Sequence, residues 1–143
     1  MMEEAMKILA PQLRAQKLER KGQIVLGTVR GDIHDIGKNI FKMFAEGAGF
    51  EIHDLGVDVN PEDFVRTAIE KNPDVLGLSA LLTTTTPEMK IVIDDLQKAG
   101  IRGKVKVLLG GNAVTNQFGE EIGADAVALD AVQGVDFCKE WTR

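Results

Sequence analysis

The residues from Gly31 to Asn39 read Gly-Asp-Ile-His-Asp-Ile-Gly-Lys-Asn, and they lie where an apolar run ends and a helical pattern begins. This stretch holds His34, with the carboxylate of Asp32 two residues before it and Gly37 three residues after it. A neutral imidazole is a good metal ligand, and a nearby carboxylate can hold its second ring nitrogen and fix the tautomer. Gly37 leaves room for a bulky group to approach the backbone. The same residues also fit a plain helix start, in which Asp32 or Asp35 accepts hydrogen bonds from unpaired amides.

Strand-like and helix-like segments alternate along the chain on both sides of this stretch. Apolar runs predict strands, and hydrophobic periodicity with proline and glycine signals predicts the helices between them. The predicted strands are 23–29, 50–55, 74–79, 104–109 and 126–129, and the predicted helices are 1–20, 36–48, 61–71, 86–99, 115–122 and 131–141. Such alternation indicates an α/β fold with a parallel sheet covered by helices on both faces. The pattern by itself leaves the strand order open.

Length, charge and cysteine content limit the functional classes. A chain of 143 residues is the size of one domain with a substantial core. The formal net charge of -5 argues against a general nucleic-acid binder. Cys138 is the only cysteine, so neither an internal disulfide nor a zinc knuckle can form. The sequence shows no secretory signal pattern and no apolar run near the ~20 residues that span a bilayer, so we expect a cytoplasmic protein without a membrane partner.

Two further motifs follow predicted strands. Ser79-Ala80-Leu81 ends the third strand, with Thr83 shortly after it, and Gly110-Gly111 closes the fourth. Taken singly, Ser79 is compatible with a small strand-end residue and the glycine pair with a plain turn. In order, the words Asp-x-His-x-x-Gly, Ser-x-Leu and Gly-Gly resemble the cobalamin-binding domain of the corrinoid methyl carriers in methanol and methylamine methyltransferase systems. They are also similar to the cobalamin domain of cobalamin-dependent methionine synthase, and the resemblance runs from about Gln23 to the C-terminus.

The resemblance implies a flavodoxin-like (Rossmann-like), doubly wound sheet of five parallel strands in the order 2-1-3-4-5. It also implies two parts: a short N-terminal helix within 1–22, where family members carry a helical cap, and a cobalamin-binding domain over 23–143. In doubly wound sheets, ligands bind at the carboxyl ends of the strands near the switch point. The three motifs follow the first, third and fourth strands, which are neighbours in this order. We therefore expect the motifs to form one site.

The resemblance also implies the chemistry of that site. Its cofactor is cobalamin or a related corrinoid, with His34 as the lower axial cobalt ligand and the metal-binding residue. Asp32 would accept the second imidazole proton and Ser79 would hydrogen-bond Asp32, so that proton uptake by the His34-Asp32 pair stabilises Co(I). The nucleotide tail of the cofactor would occupy a slot beside the second and third motifs. The residues expected to contact the corrinoid are Gly31, Asp32, Ile33, His34, Asp35, Ile36, Gly37, Ser79, Leu81, Thr83, Gly110, Gly111 and Asp130.

The function implied is that of a methyl carrier with two methyltransferase partners. It would take a methyl group as methyl-Co(III) from a substrate-specific methyltransferase and deliver it to a second one, leaving Co(I), with no turnover alone. The alternatives are the cobalamin subunit of an adenosylcobalamin mutase, a cobalamin sensor, and a flavodoxin-like response module without a corrinoid. Outside the motifs, we expect structural roles for His53 and Trp141. For Thr84–Thr86 we expect a helix lead-in, with Thr86 as N-cap.

Overall fold

The computed structural model describes residues 22–142 and contains one five-stranded parallel sheet in the order β2-β1-β3-β4-β5. The predicted fold class and strand order are confirmed, and the predicted helix over 1–20 lies outside the described residues. The strands are β1 (Gly22–Thr28), β2 (Phe50–Asp54), β3 (Val75–Ser79), β4 (Lys106–Gly110) and β5 (Ala126–Ala128). The helices are α1 (Ile36–Gly47), α2 (Pro61–Lys71), α3 (Pro87–Lys98), α4 (Asn116–Ile122) and α5 (Ala131–Trp141), with a short 3-10 helix over Arg102–Lys104.

The central strands are apolar on both sides because helices cover both faces of the sheet. Successive strand residues point to opposite faces, so Ile24 and Val25 of β1 belong to different core clusters. One cluster packs the sheet against α2, α3 and α4, with Phe64 and Met89 fully buried. The other packs it against α1 and α5. Within this second layer the ring of Trp141 stacks on Phe137 at a centroid distance of 5.7 Å, as expected of a packing residue.

The start of the fourth strand and the cap of α3 differ from the prediction for local reasons. The fourth strand begins at Lys106 and not at Lys104, because Arg102–Lys104 form a 3-10 turn before the sheet is reached. Thr86 stands at the N-cap position of α3 as predicted, but its side chain makes no capping bond within the described chain, and its hydroxyl donates to the Thr83 carbonyl at 3.1 Å. The chain already turns through residues 82–86 before α3 begins.

Helix α1 faces the sheet with an unexpected side. The sequence places Ile36, Ile40, Met43 and Phe44 on one face, and this face lies toward solvent, with Ile36 76% and Met43 64% exposed. The buried side instead carries Lys38, Phe41 and Ala45. The ammonium group of Lys38 lies 2.7 Å from Oδ2 of Asp54 at the end of β2, and this ion pair lets a lysine point inward.

The sheet order brings the motif-bearing strand ends together. In register, Thr28 of β1 pairs with Ser79 of β3, which pairs with Gly110 of β4. The loops that follow these three residues therefore emerge side by side at one edge of the sheet. Across residues 22–142, no helix is both long and apolar enough to cross a membrane.

Candidate functional site

The loop between β1 and α1 places one buried carboxylate beside one exposed imidazole. Asp32 is fully buried, whereas the side chain of His34 is 46% exposed. Oδ1 of Asp32 lies 2.6 Å from Nδ1 of His34 and also accepts the backbone N–H of His34 at 3.0 Å. The hydroxyl of Thr28, at the end of β1, donates to the His34 carbonyl oxygen at 3.0 Å. The expected pairing of Asp32 with His34 is present, and both the backbone and the ring of His34 are held.

The second oxygen of Asp32 is held from the loop after β3. Oδ2 accepts the backbone N–H of Leu81 at 2.8 Å and the hydroxyl of Thr85 at 2.7 Å. Thr85 is buried, whereas Ser79 is only partly buried and makes no side-chain hydrogen bond within residues 22–142. The expectation that Ser79 is the outer partner of Asp32 is therefore corrected to Thr85. The strand end aims Ser79 into the adjacent cavity, and the turn that follows carries Thr85 back to the carboxylate.

These contacts fix the charge of Asp32 and the tautomer of a neutral His34 ring. Burial acts to raise the pKa of Asp32, but hydrogen bonds from the amides of His34 and Leu81 and from the side chains of His34 and Thr85 outweigh it. The pKa of Asp32 therefore lies below its usual range, and the group is a carboxylate. An ionised acceptor 2.6 Å away assigns the ring proton of neutral His34 to Nδ1. Nε2 then carries a lone pair, and no residue of the described chain engages it.

We expect Thr85→Val to destabilise the protein far more than Ser79→Ala. Valine keeps the shape of threonine but leaves a buried carboxylate without one of its donors, which costs about 1.5–3 kcal/mol. Ser79→Ala removes a hydroxyl without an internal partner and is expected to stay within ~0.5 kcal/mol. Urea unfolding of both variants measures the difference. An equal loss in the two would contradict the assignment of Thr85 as the partner of Asp32.

A cavity of about 580 Å³ opens beside His34 and runs over the carboxyl ends of β1, β3, β4 and β5. Most predicted contact residues line it. They are Ile33, His34, Asp35, Ile36, Gly37, Ser79, Leu81, Gly110, Gly111 and Asp130. Asp130 also caps α5 by accepting the N–H of Gln133 at 2.8 Å. Gly31, Asp32 and Thr83 are not part of the lining: Asp32 lies behind His34, and Thr83 is exposed on the turn before α3.

The sequence did not single out the floor of this cavity. It consists of small and apolar residues of the sheet together with the buried side of α1, among them Leu26, Gly77, Leu108, Ala128, Lys38 and Phe41. A signal for it exists: Gly77 on β3 and Ala128 on β5 are small residues within apolar strands, and small side chains leave room for a ligand above the sheet. His53 lies outside the cavity on β2, 3.3 Å from Oε1 of Gln23.

The adjacent glycines Gly110 and Gly111 serve different purposes. A Cβ built on Gly110 meets no atom of the described chain within 4 Å, so this glycine keeps the cavity wide. A Cβ built on Gly111 would lie 1.8 Å from the carbonyl oxygen of Ala80, and its φ is +124°. Gly111 is thus required by the close approach of two backbones, whereas the room predicted for a ligand lies at Gly110.

The residues present suit the expected corrinoid. A single imidazole nitrogen, oriented by a carboxylate, would suit a metal that a macrocycle already binds and that takes one ligand from the protein. The long apolar cavity with its open wall at Gly110 suits a tail that reaches down beside the sheet. The exposed side chains of Ile33 and Leu129 at its mouth offer apolar contact to a flat ring.

Comparisons with known proteins also indicate a corrinoid-binding domain. A family model described as a B12 binding domain matches residues 22–135. Dimethylamine corrinoid protein 3 of Methanosarcina mazei is 46% identical over 136 residues, which cover 95% of this chain and 80% of the relative. Several other curated relatives are covered over 56–67% of their length.

Solved structures with the same fold match over most of this chain. A cobalamin-binding protein from Desulfitobacterium hafniense superposes with a TM-score of 0.84 at 42% identity, covering 87% of this chain and 60% of that one. A chain of the methanol:cobalamin methyltransferase complex MtaBC from Methanosarcina barkeri gives a TM-score of 0.81 at 32% identity. That match covers 85% of this chain and 46% of the other, so this chain spans less than two thirds of either structure.

Proposed function

The chain belongs to the B12-binding domain family, and we propose on this premise that it binds a corrinoid and carries a methyl group between two methyltransferases. The observation that supports it most directly is the pairing of Nδ1 of His34 with the buried carboxylate of Asp32 at 2.6 Å. This pairing leaves Nε2 of His34, at the wall of the cavity, as the atom that would bind the cobalt. The family match also supports a corrinoid-binding unit that begins near residue 22.

Each part of the site has a role toward the cofactor. When bound, the corrinoid supplies a cobalt that can accept and release a methyl group. His34 provides the protein ligand, and Asp32 fixes its tautomer and holds the ring proton at Nδ1. Thr85 and the Leu81 amide hold Asp32 in turn. Ser79, Leu81 and Gly110 wall the cavity that we assign to the nucleotide tail.

The need for protein partners is part of the proposal. The ionisable groups that the described chain places at the cavity are His34, Asp35, Lys38 and Asp130, of which His34, Lys38 and Asp130 are already hydrogen-bonded within the protein. We infer that they orient a cofactor and do not activate a methyl donor. Similarity to a protein named as a dimethylamine corrinoid protein and to a chain of a methanol:cobalamin methyltransferase complex supports methyltransferases as the partners. The same similarities favour a carrier over a mutase subunit or a sensor. We place the protein in the cytoplasm, where the thiol of buried Cys138 stays reduced.

The proposed function is tested in two steps. The full chain is mixed with hydroxocobalamin and desalted, and the visible spectrum of the protein fraction is recorded. We expect about one corrinoid per chain. Protein loaded with methylcobalamin is then supplied with a thiol or pterin acceptor, with and without a candidate methyltransferase. Fast transfer only with the methyltransferase supports the carrier. Fast transfer by the chain alone would contradict it, and homolysis of an adenosyl ligand with a barrel subunit would favour a mutase.

A further inference from the structure

Asp58 is an exposed residue in a strained conformation that touches the loop of residues 29–35 between β1 and α1, called here the histidine loop. It lies in the loop after β2 and has a φ of +53°, one of two positive φ values among the non-glycine residues described. A left-handed conformation is unfavourable for residues with a Cβ, although aspartate and asparagine tolerate it best. Such a residue persists when its surroundings hold it in place. The contacts of Asp58 show what holds it.

Asp58 contacts the histidine loop with both its side chain and its backbone. Its Oδ1 accepts the backbone N–H of Gly31 at 2.7 Å. Its own backbone N–H donates to the carbonyl oxygen of Asp32 at 2.9 Å. The two bonds therefore bracket the peptide that joins Gly31 to Asp32. Oδ1 of Asp32 in turn hydrogen-bonds Nδ1 of His34, so Asp32 is the one residue that links Asp58 to the imidazole.

The loop that carries Asp58 is itself fixed to β1. The N–H of Thr28 donates to the Gly56 carbonyl at 2.9 Å, and the N–H of Val59 donates to the Thr28 carbonyl at 3.0 Å. Val59 is buried and pairs with Val29 in an isolated parallel bridge. The segment that carries Asp58 is thus fixed on both sides, so Asp58 can hold the histidine loop in one position.

We propose, on the basis of the proposed corrinoid function, that Asp58 is a positioning residue that sets the orientation of His34 through Gly31 and Asp32. It does not touch the cavity and holds no ligand itself. Rotation of the backbone at Asp32 would break the bond from the Asp58 N–H to the Asp32 carbonyl oxygen, and displacement of Gly31 would break its bond to the Asp58 carboxylate. The carboxylate of Asp32 and the ring of His34 then keep one geometry before any cofactor arrives, which reduces the ordering cost of binding.

Three substitutions separate the carboxylate from the backbone strain. Asp58→Gly keeps access to positive φ but loses the acceptor for Gly31. Asp58→Asn keeps an acceptor oxygen and tolerates the same φ. Asn72→Gly is the matched control, because Asn72 has a φ of +48° at the end of α2, away from the site. All are made in the full chain.

The first readouts use the protein without cofactor. Amide hydrogen exchange of Gly31 is expected to accelerate about tenfold in Asp58→Gly, the size of one lost charge-assisted hydrogen bond. Nitrogen-15 NMR of His34 is expected to lose the signature of a single Nδ1–H tautomer in that variant. Asp58→Asn should restore both signals, and Asn72→Gly should change neither. Unchanged exchange and unchanged tautomer in Asp58→Gly would overturn the inference.

The last readout uses hydroxocobalamin. Binding to Asp58→Gly is expected to weaken about 10–100-fold, the usual range for residues behind a metal ligand, and to recover in Asp58→Asn. If the parent chain binds no corrinoid, the proposed function fails, and the exchange and NMR data still decide the role of Asp58. If the parent binds and Asp58→Gly binds equally well, the positioning role fails alone.

Discussion

Replacing His34 with alanine is expected to abolish the nitrogen splitting in the electron paramagnetic resonance spectrum of the Co(II) form and to weaken corrinoid binding at least ~100-fold. The reason is that Nε2 of His34 is the ligand atom left available once Nδ1 is held by Asp32 at 2.6 Å. Loss of a direct ligand should cost no less than the ~10–100-fold typical of residues behind it. Growth on nitrogen-15 histidine should change the splitting pattern in the parent protein.

The chain provides its own control for this experiment. It has two histidines, and the second, His53, lies on β2 outside the cavity. His53→Gln should therefore leave both the splitting and the affinity close to those of the parent protein. A splitting that ignores isotope labelling would mean that the cofactor's own base is bound to cobalt. Loss of the splitting in His53→Gln would show that His53, and not His34, is the cobalt ligand.

Substitutions at the two adjacent glycines are expected to separate folding from cofactor binding. Gly111→Ala should destabilise the fold by ~3 kcal/mol or more, because the new Cβ would lie 1.8 Å from the Ala80 carbonyl oxygen and φ is +124°. Gly110→Val should fold nearly as well as the parent protein, since its Cβ position meets no described atom within 4 Å. It should nonetheless lose corrinoid affinity by ~10–200-fold, because the added methyl groups enter the cavity.

Urea unfolding and hydroxocobalamin binding, measured on both variants, test this separation. Gly103→Ala serves as the matched control: Gly103 has no described atom within 4 Å of its Cβ position and lies in the 3-10 helix away from the cavity. It should change neither quantity. Full corrinoid binding by a stable Gly110→Val variant would place the tail elsewhere. A stable Gly111→Ala variant would show that the contact with Ala80 can relax.

Periodicity and turn chemistry predicted the order of elements, since apolar strands and proline-started helices are local features. Strand order was available only through the resemblance to a family, because nothing in a strand states its neighbours. The partner of Asp32 was misassigned for a related reason. Thr85 stands in a run of four threonines, 83–86, whose members look alike in sequence. Only the turn through these residues decides which hydroxyl faces the carboxylate at 2.7 Å.

The buried face of α1 could not be predicted from the sequence for a different physical reason. Its apolar residues form a clear face, and this face normally packs on the core. Here the inward side carries Lys38, and the helix tolerates this because Asp54 on the neighbouring strand neutralises it at 2.7 Å. An ion pair between two residues 16 positions apart overrides a local hydrophobic pattern. The hydrophobic pattern is visible in the sequence, whereas the ion pair exists only once the two elements have packed together.

The hydrogen bond between Asp32 and Thr85 has a consequence for the kinetics of folding. It joins residues 53 positions apart and spans the crossover from β1 to β3, with all of β2 between them. Contacts of this sequence separation form only after long loops close, so parallel sheets acquire them slowly. The hydrogen bonds that hold the carboxylate of Asp32 in place therefore form only in a chain whose central strands have already paired. Corrinoid uptake during refolding should follow sheet formation, and its rate would report completion of the native topology.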